Sequence, residues 1–347
     1  MGKKEIENSI KSFGEIITSI KNGSFRPFYL LMGEEPYYSD RIIEEISEGA
    51  LTPDERGFNQ MIIYGSDTNA TQVIETARRY PMMASRQVVI VKEAQMLQGM
   101  NDLEHYFRHP MPTTILVISL TNKSLDKRGT LYKTALANGV VFESLKLYDD
   151  MLFPWIERYI KSRGYTVSPE ACMLMADYCG TELRKLVLEL DKLIINTQNS
   201  DKRIETKDIE ENIGISRDYN VFELTKAISF KDGTKAYKII KHFSASPRQF
   251  PLVVTLSAIF THFSRVLKYH ASHGNGAKPS RGELASALGI NPYFMAEYDE
   301  AARNYPLIKC MEAISLIRRY DSASKSYQRG EAEDGELLFE LVYKIMH

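Results

Sequence analysis

The sequence predicts an α/β domain with a parallel sheet, followed by a remainder that is helical. Three observations carry this expectation. Short apolar runs alternate with amphipathic helical stretches as far as about residue 145. Beyond that point the β-branched runs give way to helix caps and apolar spacings of three and four. With 347 residues, 44% of them hydrophobic and 26% charged, the chain has the composition of a globular protein of two or three domains.

The elements follow in order. Ile6, Ile10, Phe13, Ile17 and Ile20 recur at helical spacing and close on Asn22-Gly23. Pro27 to Gly33 is a short apolar strand, and a second helix runs through Ile42, Ile43 and Ile46. Phe58 to Tyr64 reads as a strand and Thr71 to Arg79 as a helix with Val73, Ile74 and Ala77 inward. Tyr80-Pro81-Met82-Met83-Ala84-Ser85-Arg86-Gln87 then leads into Val88 to Val91, an unbroken β-branched run that reads as a buried central strand. Met82 and Met83 are either a core plug, the usual use of methionine, or an exposed hook. Arg86 and Gln87 read as hydrogen-bonding groups at the start of that strand, with a supporting role for Arg86 and Pro81 in orienting the pair. Thr114 to Ser119 and Val140 to Glu143 complete the strands. From Leu152 the elements are helices, among them one started by Ser168-Pro169-Glu170 and others opening near Gly180 and Thr206. The expected divisions are an α/β domain at 1–145, a small helical domain at 146–212 and a helical domain at 213–347.

Strand, glycine turn and helix around Gly33 have the geometry of a phosphate-binding loop, but the residues contradict it. A working loop reads G-x-x-x-x-G-K-[ST]. Aligned on Gly33, the second glycine falls on Tyr38, the lysine on Ser39 and the hydroxyl on Asp40, while Glu34 and Glu35 bring negative charge to the phosphate position. The strand that should end in a metal-binding acid ends in Lys92-Glu93 instead. Asn122, at the place of a γ-phosphate sensor, reads as a turn former. These are two independent defects in one site, which point to a degenerate ATPase fold with no catalytic residues and no cofactor or metal.

Cys172, Cys179 and Cys310 are too few and too irregularly spaced for a disulfide framework or a zinc site. Cys172 and Cys179 lie on one face of a helix and read as small buried thiols. The N-terminus lacks the apolar core of a signal peptide and no apolar run could span a bilayer, so a cytoplasmic protein without membrane contact is expected. Charge is uneven, with 26 Lys+Arg against 31 Asp+Glu over 1–212 and 18 against 14 over 213–347. The C-terminal part therefore leans towards an acidic partner such as nucleic acid. There, Lys325-Ser326-Tyr327-Gln328-Arg329 sets an aromatic between basic side chains, a pattern suited to stacking on an exposed base. Arg318 and Arg319 extend it.

Several blocks together resemble one family, the delta subunit of bacterial DNA polymerase III, a clamp-loader component. They are Phe28 to Glu35, Pro81 to Val91, Lys123 with Asp126-Lys127-Arg128, and Gly180 to Leu183 with Glu189 to Leu193. The resemblance implies an AAA+ α/β domain, a helical lid and an all-α collar that joins a hetero-pentameric ring. It implies binding and opening of the sliding clamp (the beta subunit) for loading onto primed DNA, beside ATP-binding clamp-loader subunits and a delta-prime subunit. Neither ATPase nor polymerase activity is expected of the chain itself, although the complex is a DNA-directed DNA polymerase. The family's clamp-binding pair, at the tip of the helix ahead of the strand, falls on Met82 and Met83. Tyr327, Lys325 and Arg329 are the residues assigned to DNA contact. The alternative readings are an active P-loop ATPase or helicase loader with an unusual loop, and a stand-alone DNA-binding protein, which the balanced charge disfavours.

Overall fold

The computed structural model describes residues 2–197, 202–214, 219–273, 279–325 and 332–347. It divides into two compact units, Met1–Tyr148 and Asp149–His347.

The first unit runs α1 (Lys3–Lys21), β1 (Phe28–Gly33), α2 (Pro36–Gly49), α3 (Pro53–Asn59), β2 (Gln60–Tyr64), α4 (Ala70–Ala77), β3 (Gln87–Lys92), α5 (Leu103–Arg108), β4 (Thr114–Ser119), α6 (Thr130–Asn138) and β5 (Val140–Ser144). The strands form one parallel sheet in the order β2-β3-β4-β1-β5. Strands β1, β3 and β4 are covered on both faces, which is why they read as continuous apolar runs rather than alternating ones. Strand β2 lies at the edge and leaves Met61, Ile62 and Tyr64 exposed.

One boundary differs from the sequence expectation for a physical reason. Phe58 and Asn59 belong to a helix, not a strand, because Thr52-Pro53-Asp54-Glu55 starts α3 there. The Thr52 hydroxyl accepts from the Glu55 amide, the Glu55 carboxylate accepts from the Thr52 amide, and Pro53 sits at the first helical position.

The second unit opens with α7 (Asp149–Ser162), β6 (Thr166–Val167), α8 (Pro169–Cys179), α9 (Leu183–Asn196), β7 (Arg203–Ile204) and α10 (Thr206–Ile213). Helices α11 (Val221–Ser229), α12 (Gly233–Ala245), α13 (Leu252–His273), α14 (Arg281–Leu288), α15 (Met295–Asn304), α16 (Leu307–Ser324) and α17 (Asp334–Met346) follow. The parallel pair of β6 and β7, Thr166 against Arg203 and Val167 against Ile204, corrects the expectation that no strand lies beyond residue 145. Two residues a side carry no readable period. Helices α11 to α17 share a core from Leu224 to Met346, with Ile259, Phe263 and Leu341 fully enclosed. Cys172, Cys179 and Cys310 are free and buried, and burial raises all three thiols, Cys179 to about 12 and Cys310 to about 11.

Candidate functional site

Helix α4 stops at Ala77 and β3 begins at Gln87, so Arg78 to Arg86 is an irregular segment at the N-terminal end of the sheet. A proline at 81 disfavours the helical conformation at Tyr80 and lacks an amide to continue the helix. The Gln87 side chain fixes the exit. Its amide nitrogen lies 2.6 Å from the Arg79 carbonyl and 2.9 Å from the Thr114 hydroxyl, with the Thr76 carbonyl at 3.2 Å. Gln87 is thus the hydrogen-bonding group at the strand start that its sequence position suggested. Arg86 instead lays its guanidinium 5.0 Å above the Phe25 ring.

Met82 and Met83 are not a core plug. Met82 is 62% exposed and Met83 is fully exposed at 104%, with Tyr80 and Phe58 exposed as well. The pair sits on the irregular segment rather than on a helix tip, which corrects the position implied by the resemblance, because α4 ends five residues earlier. Met83 also holds φ at +53°, a left-handed conformation that costs a side-chain-bearing residue about 1–2 kcal/mol. What holds it is Asn59, buried at the end of α3. Its side-chain oxygen accepts from the Met82 amide at 2.6 Å, and its amide group donates to the Met82 carbonyl at 2.9 Å. Both backbone groups of Met82 are thereby tied to a helix end, and the side chains project outward from a fixed base. The sequence reading missed Asn59; its only signal was a polar residue inside what looked like an apolar strand.

At the opposite, C-terminal end of the strands the phosphate-loop geometry is present but occupied by the protein itself. Gly33 has φ +119°, and a Cβ there would meet the Ser144 carbonyl oxygen at 2.1 Å. The Gly33 amide donates to the Lys123 carbonyl at 2.9 Å, the Glu34 amide to the Ser144 carbonyl at 3.0 Å and the Glu35 amide to the Ser144 hydroxyl at 3.1 Å. Three consecutive amides that would face a phosphate are therefore engaged. The buried Glu35 side chain caps α2 by accepting from the Tyr37 amide at 3.1 Å, which fills the helix end where an anion would bind. Tyr38 packs edge-on against Phe13 at 4.8 Å, Ser39 is buried and Asp40 is exposed. Lys92 is half-buried, and Glu93 is exposed with φ +51°. Asn122, at φ +54°, sits in a turn. The two ends lie about 20 Å apart, the length of six strand residues.

In the second unit Lys325 pairs with Asp321 at 2.7 Å, one helical turn back, so its charge is locally balanced. Tyr327 and Arg329 lie outside the described residues. Arg318 and Arg319 are exposed on α16.

Fold and sites together define a parallel five-stranded α/β domain whose phosphate-type loop is filled by the protein itself, followed by a mostly helical C-terminal part. Residues 29–144 match the family described as DNA polymerase III, delta subunit. The chain is 24% identical over 339 residues to DNA polymerase III subunit delta of Bacillus subtilis (strain 168), covering 94% of both chains. It is 25% identical over 202 residues to the probable DNA polymerase III subunit delta of Aquifex aeolicus (strain VF5), covering 56% of this chain and 55% of that one. Its fold matches the solved structure of the Bacillus subtilis DNA clamp loader delta protein with a TM-score of 0.53 and 20% identity, over 96% of this chain and 99% of that one. The chain is thus similar, along nearly its whole length, to a DNA polymerase III delta subunit. Among the described residues no helix is long and apolar enough to cross a membrane.

Proposed function

We propose that this chain is a non-catalytic clamp-loader subunit that grips and opens the sliding clamp through Met82 and Met83. The observation that carries the reading is the fully exposed Met83, held in a left-handed conformation by the Asn59 clasp on Met82. An exposed large apolar side chain at a strained position has no use in folding, and such strain gathers where a surface is shaped for a partner. Burying both methionines in a clamp pocket would contribute roughly 3–6 kcal/mol. That is a large share of the about 8 kcal/mol of a micromolar complex. It is too little to open a closed ring alone, so the remaining work falls to ATP-binding partner subunits, with a delta-prime subunit completing the pentamer and primed DNA as the destination. Where the family often has Leu and Phe-like residues, two methionines give a softer fit.

The engaged amides of Gly33, Glu34 and Glu35 support the absence of nucleotide binding by this chain. The division into lid (146–212) and collar (213–347) draws on the core that α11 to α17 share, although Asp149–His347 is one compact unit in which Phe153 packs on Phe294. A cytoplasmic location draws on the similarity to replication proteins. Ile308 and Met311, exposed on α16, suit a collar that packs against neighbouring subunits.

Two measurements test this reading. Pull-down against the purified sliding clamp should succeed with the native chain and fail with Met82→Ala/Met83→Ala at an unchanged unfolding midpoint. A fluorescent ATP analogue should not bind; micromolar binding with turnover would establish the P-loop ATPase alternative instead.

A further inference from the structure

We propose that a recess beside the methionine pair receives a carboxylate of the same partner, making the contact an apolar hook with an ion pair next to it. This inference rests on the clamp-binding reading above. The recess, a cavity of about 480 Å³, is bounded by the loop ahead of β1, by Ser85 and Arg86 of the hook segment, and by the loop ahead of β4. These three segments feed the N-terminal ends of parallel strands that lie side by side in the sheet, so the recess and the hook open at the same end. A partner that holds the methionines at that end comes within reach of the recess, whose wall includes Ser85 and Arg86 two and three residues beyond Met83.

The chemistry of the lining selects the occupant. Phe25, Pro27, Pro110 and Pro112 supply apolar walls, and Arg26 and Arg86 supply two guanidinium groups. Neither arginine is within salt-bridge distance of a carboxylate among the described residues, and the Glu55 carboxylate on α3 lies within electrostatic reach of Arg86 without pairing with it. The Phe25 ring takes up a face of the Arg86 guanidinium, and the N–H groups of a guanidinium lie along its edge, where a carboxylate is bound by two parallel hydrogen bonds. Apolar walls around a cationic edge suit an acidic side chain with its methylene stem, or a chain-terminal carboxylate. A nucleic-acid phosphate is the poorer match, because residues 1–212 carry 26 Lys+Arg against 31 Asp+Glu and would repel a polyanion.

The experiment is a titration of the full chain with purified sliding clamp at low and raised salt, comparing native protein, Arg26→Gln, Arg26→Gln/Arg86→Gln and Met82→Ala/Met83→Ala. The double arginine variant should bind about tenfold more weakly at low salt and lose most of the salt dependence of the native contact. Arg26→Gln alone should weaken binding several-fold at a native unfolding midpoint, which separates lost charge from a loosened Arg86–Phe25 stack. Unchanged affinity and salt slope in both arginine variants, with binding abolished in the methionine variant, would overturn the carboxylate recess and leave the hook standing. If the methionine variant also binds normally, the hook reading fails and this inference with it. Loss of primed-DNA binding without loss of clamp binding in the arginine variants would make the recess a phosphate site and overturn the proposal.

Discussion

Met83 holds φ at +53°, where glycine is at ease and methionine is not. Replacing it by glycine should therefore raise the stability of the first unit by about 0.5–1 kcal/mol, the relieved strain less the added freedom of glycine in the unfolded chain. Clamp binding should fall in the same variant. Thermal unfolding read beside a binding titration checks that the two changes have opposite signs, as expected of a residue shaped for a partner rather than for the fold. Asn59→Asp keeps the shape of the clasp but replaces the donor to the Met82 carbonyl with a second acceptor. It should cost about 1–3 kcal/mol of stability. Amides of the segment from Arg78 to Arg86 should then exchange faster with deuterated solvent, and protection equal to native would contradict the clasp. At this scale the sequence was only half legible. Two adjacent methionines beside a proline are visible as a pair, but methionine serves cores and interfaces alike, and no local pattern distinguishes Met82 exposed from Met82 buried. Asn59 was illegible because its partner lies 23 residues away and is a backbone.

Among the elements, the strands were the easier to read. Val88 to Val91 and Thr114 to Ser119 are buried on both faces, so their uninterrupted apolar character follows from the parallel sheet. Edge strand β2 was harder, since Met61, Ile62 and Tyr64 are as apolar as a core strand yet exposed, and apolar content does not report sheet position. The start of α3 was written in Thr52-Pro53-Asp54-Glu55 and lost to the apolar run behind it. The broken phosphate loop was legible as a set of missing residues. What replaces the phosphate was not: the Ser144 hydroxyl accepts from the Glu35 amide and donates to the Met32 carbonyl at 3.2 Å, a contact across 112 residues. Gly33→Ala forces a Cβ to within 2.1 Å of the Ser144 carbonyl oxygen at φ +119°. It should cost about 3 kcal/mol or more in denaturant unfolding. A neutral outcome would mean that β1 and β5 are not locked together there.

For the molecule as a whole, the second unit carries a buried polar cluster whose titration contributes to its response to pH. The Ser229 hydroxyl lies 3.1 Å from His262 Nε2, 3.3 Å from Glu297 Oε1 and 2.9 Å from the Thr225 carbonyl. One hydroxyl proton cannot serve all three, so either His262 Nε2 or a protonated Glu297 donates to the Ser229 oxygen. Burial is the main cause that pushes the Glu297 carboxyl up to about 7. Burial, with Arg265 adding to it, pushes the His262 imidazole down to about 3. The signs follow from proton counts. Below the ordinary histidine value of about 6.5 the unfolded chain binds a proton at His262 that the folded chain refuses, so this stabilisation is lost as pH falls towards 3. Glu297 acts the other way: the folded chain holds its proton up to about 7, so its stabilisation is present at acid pH and is lost as pH rises through 7. Between about 4.5 and 6.5 the two offset. Glu297→Gln should therefore stabilise the protein at pH 8 by about 1–3 kcal/mol and expose a fall in stability below pH 6.5. Urea unfolding at pH 5 and 8 reads both effects. None of this was visible in the sequence, where Ser229, His262 and Glu297 sit on three different helices. The measurement that bears most directly on the function is equilibrium titration of the purified sliding clamp with native chain and with Met82→Ala/Met83→Ala, both shown to be folded by their unfolding midpoints. The expected result is saturable binding by the native chain and none by the variant; equal binding by the two would contradict the methionine hook.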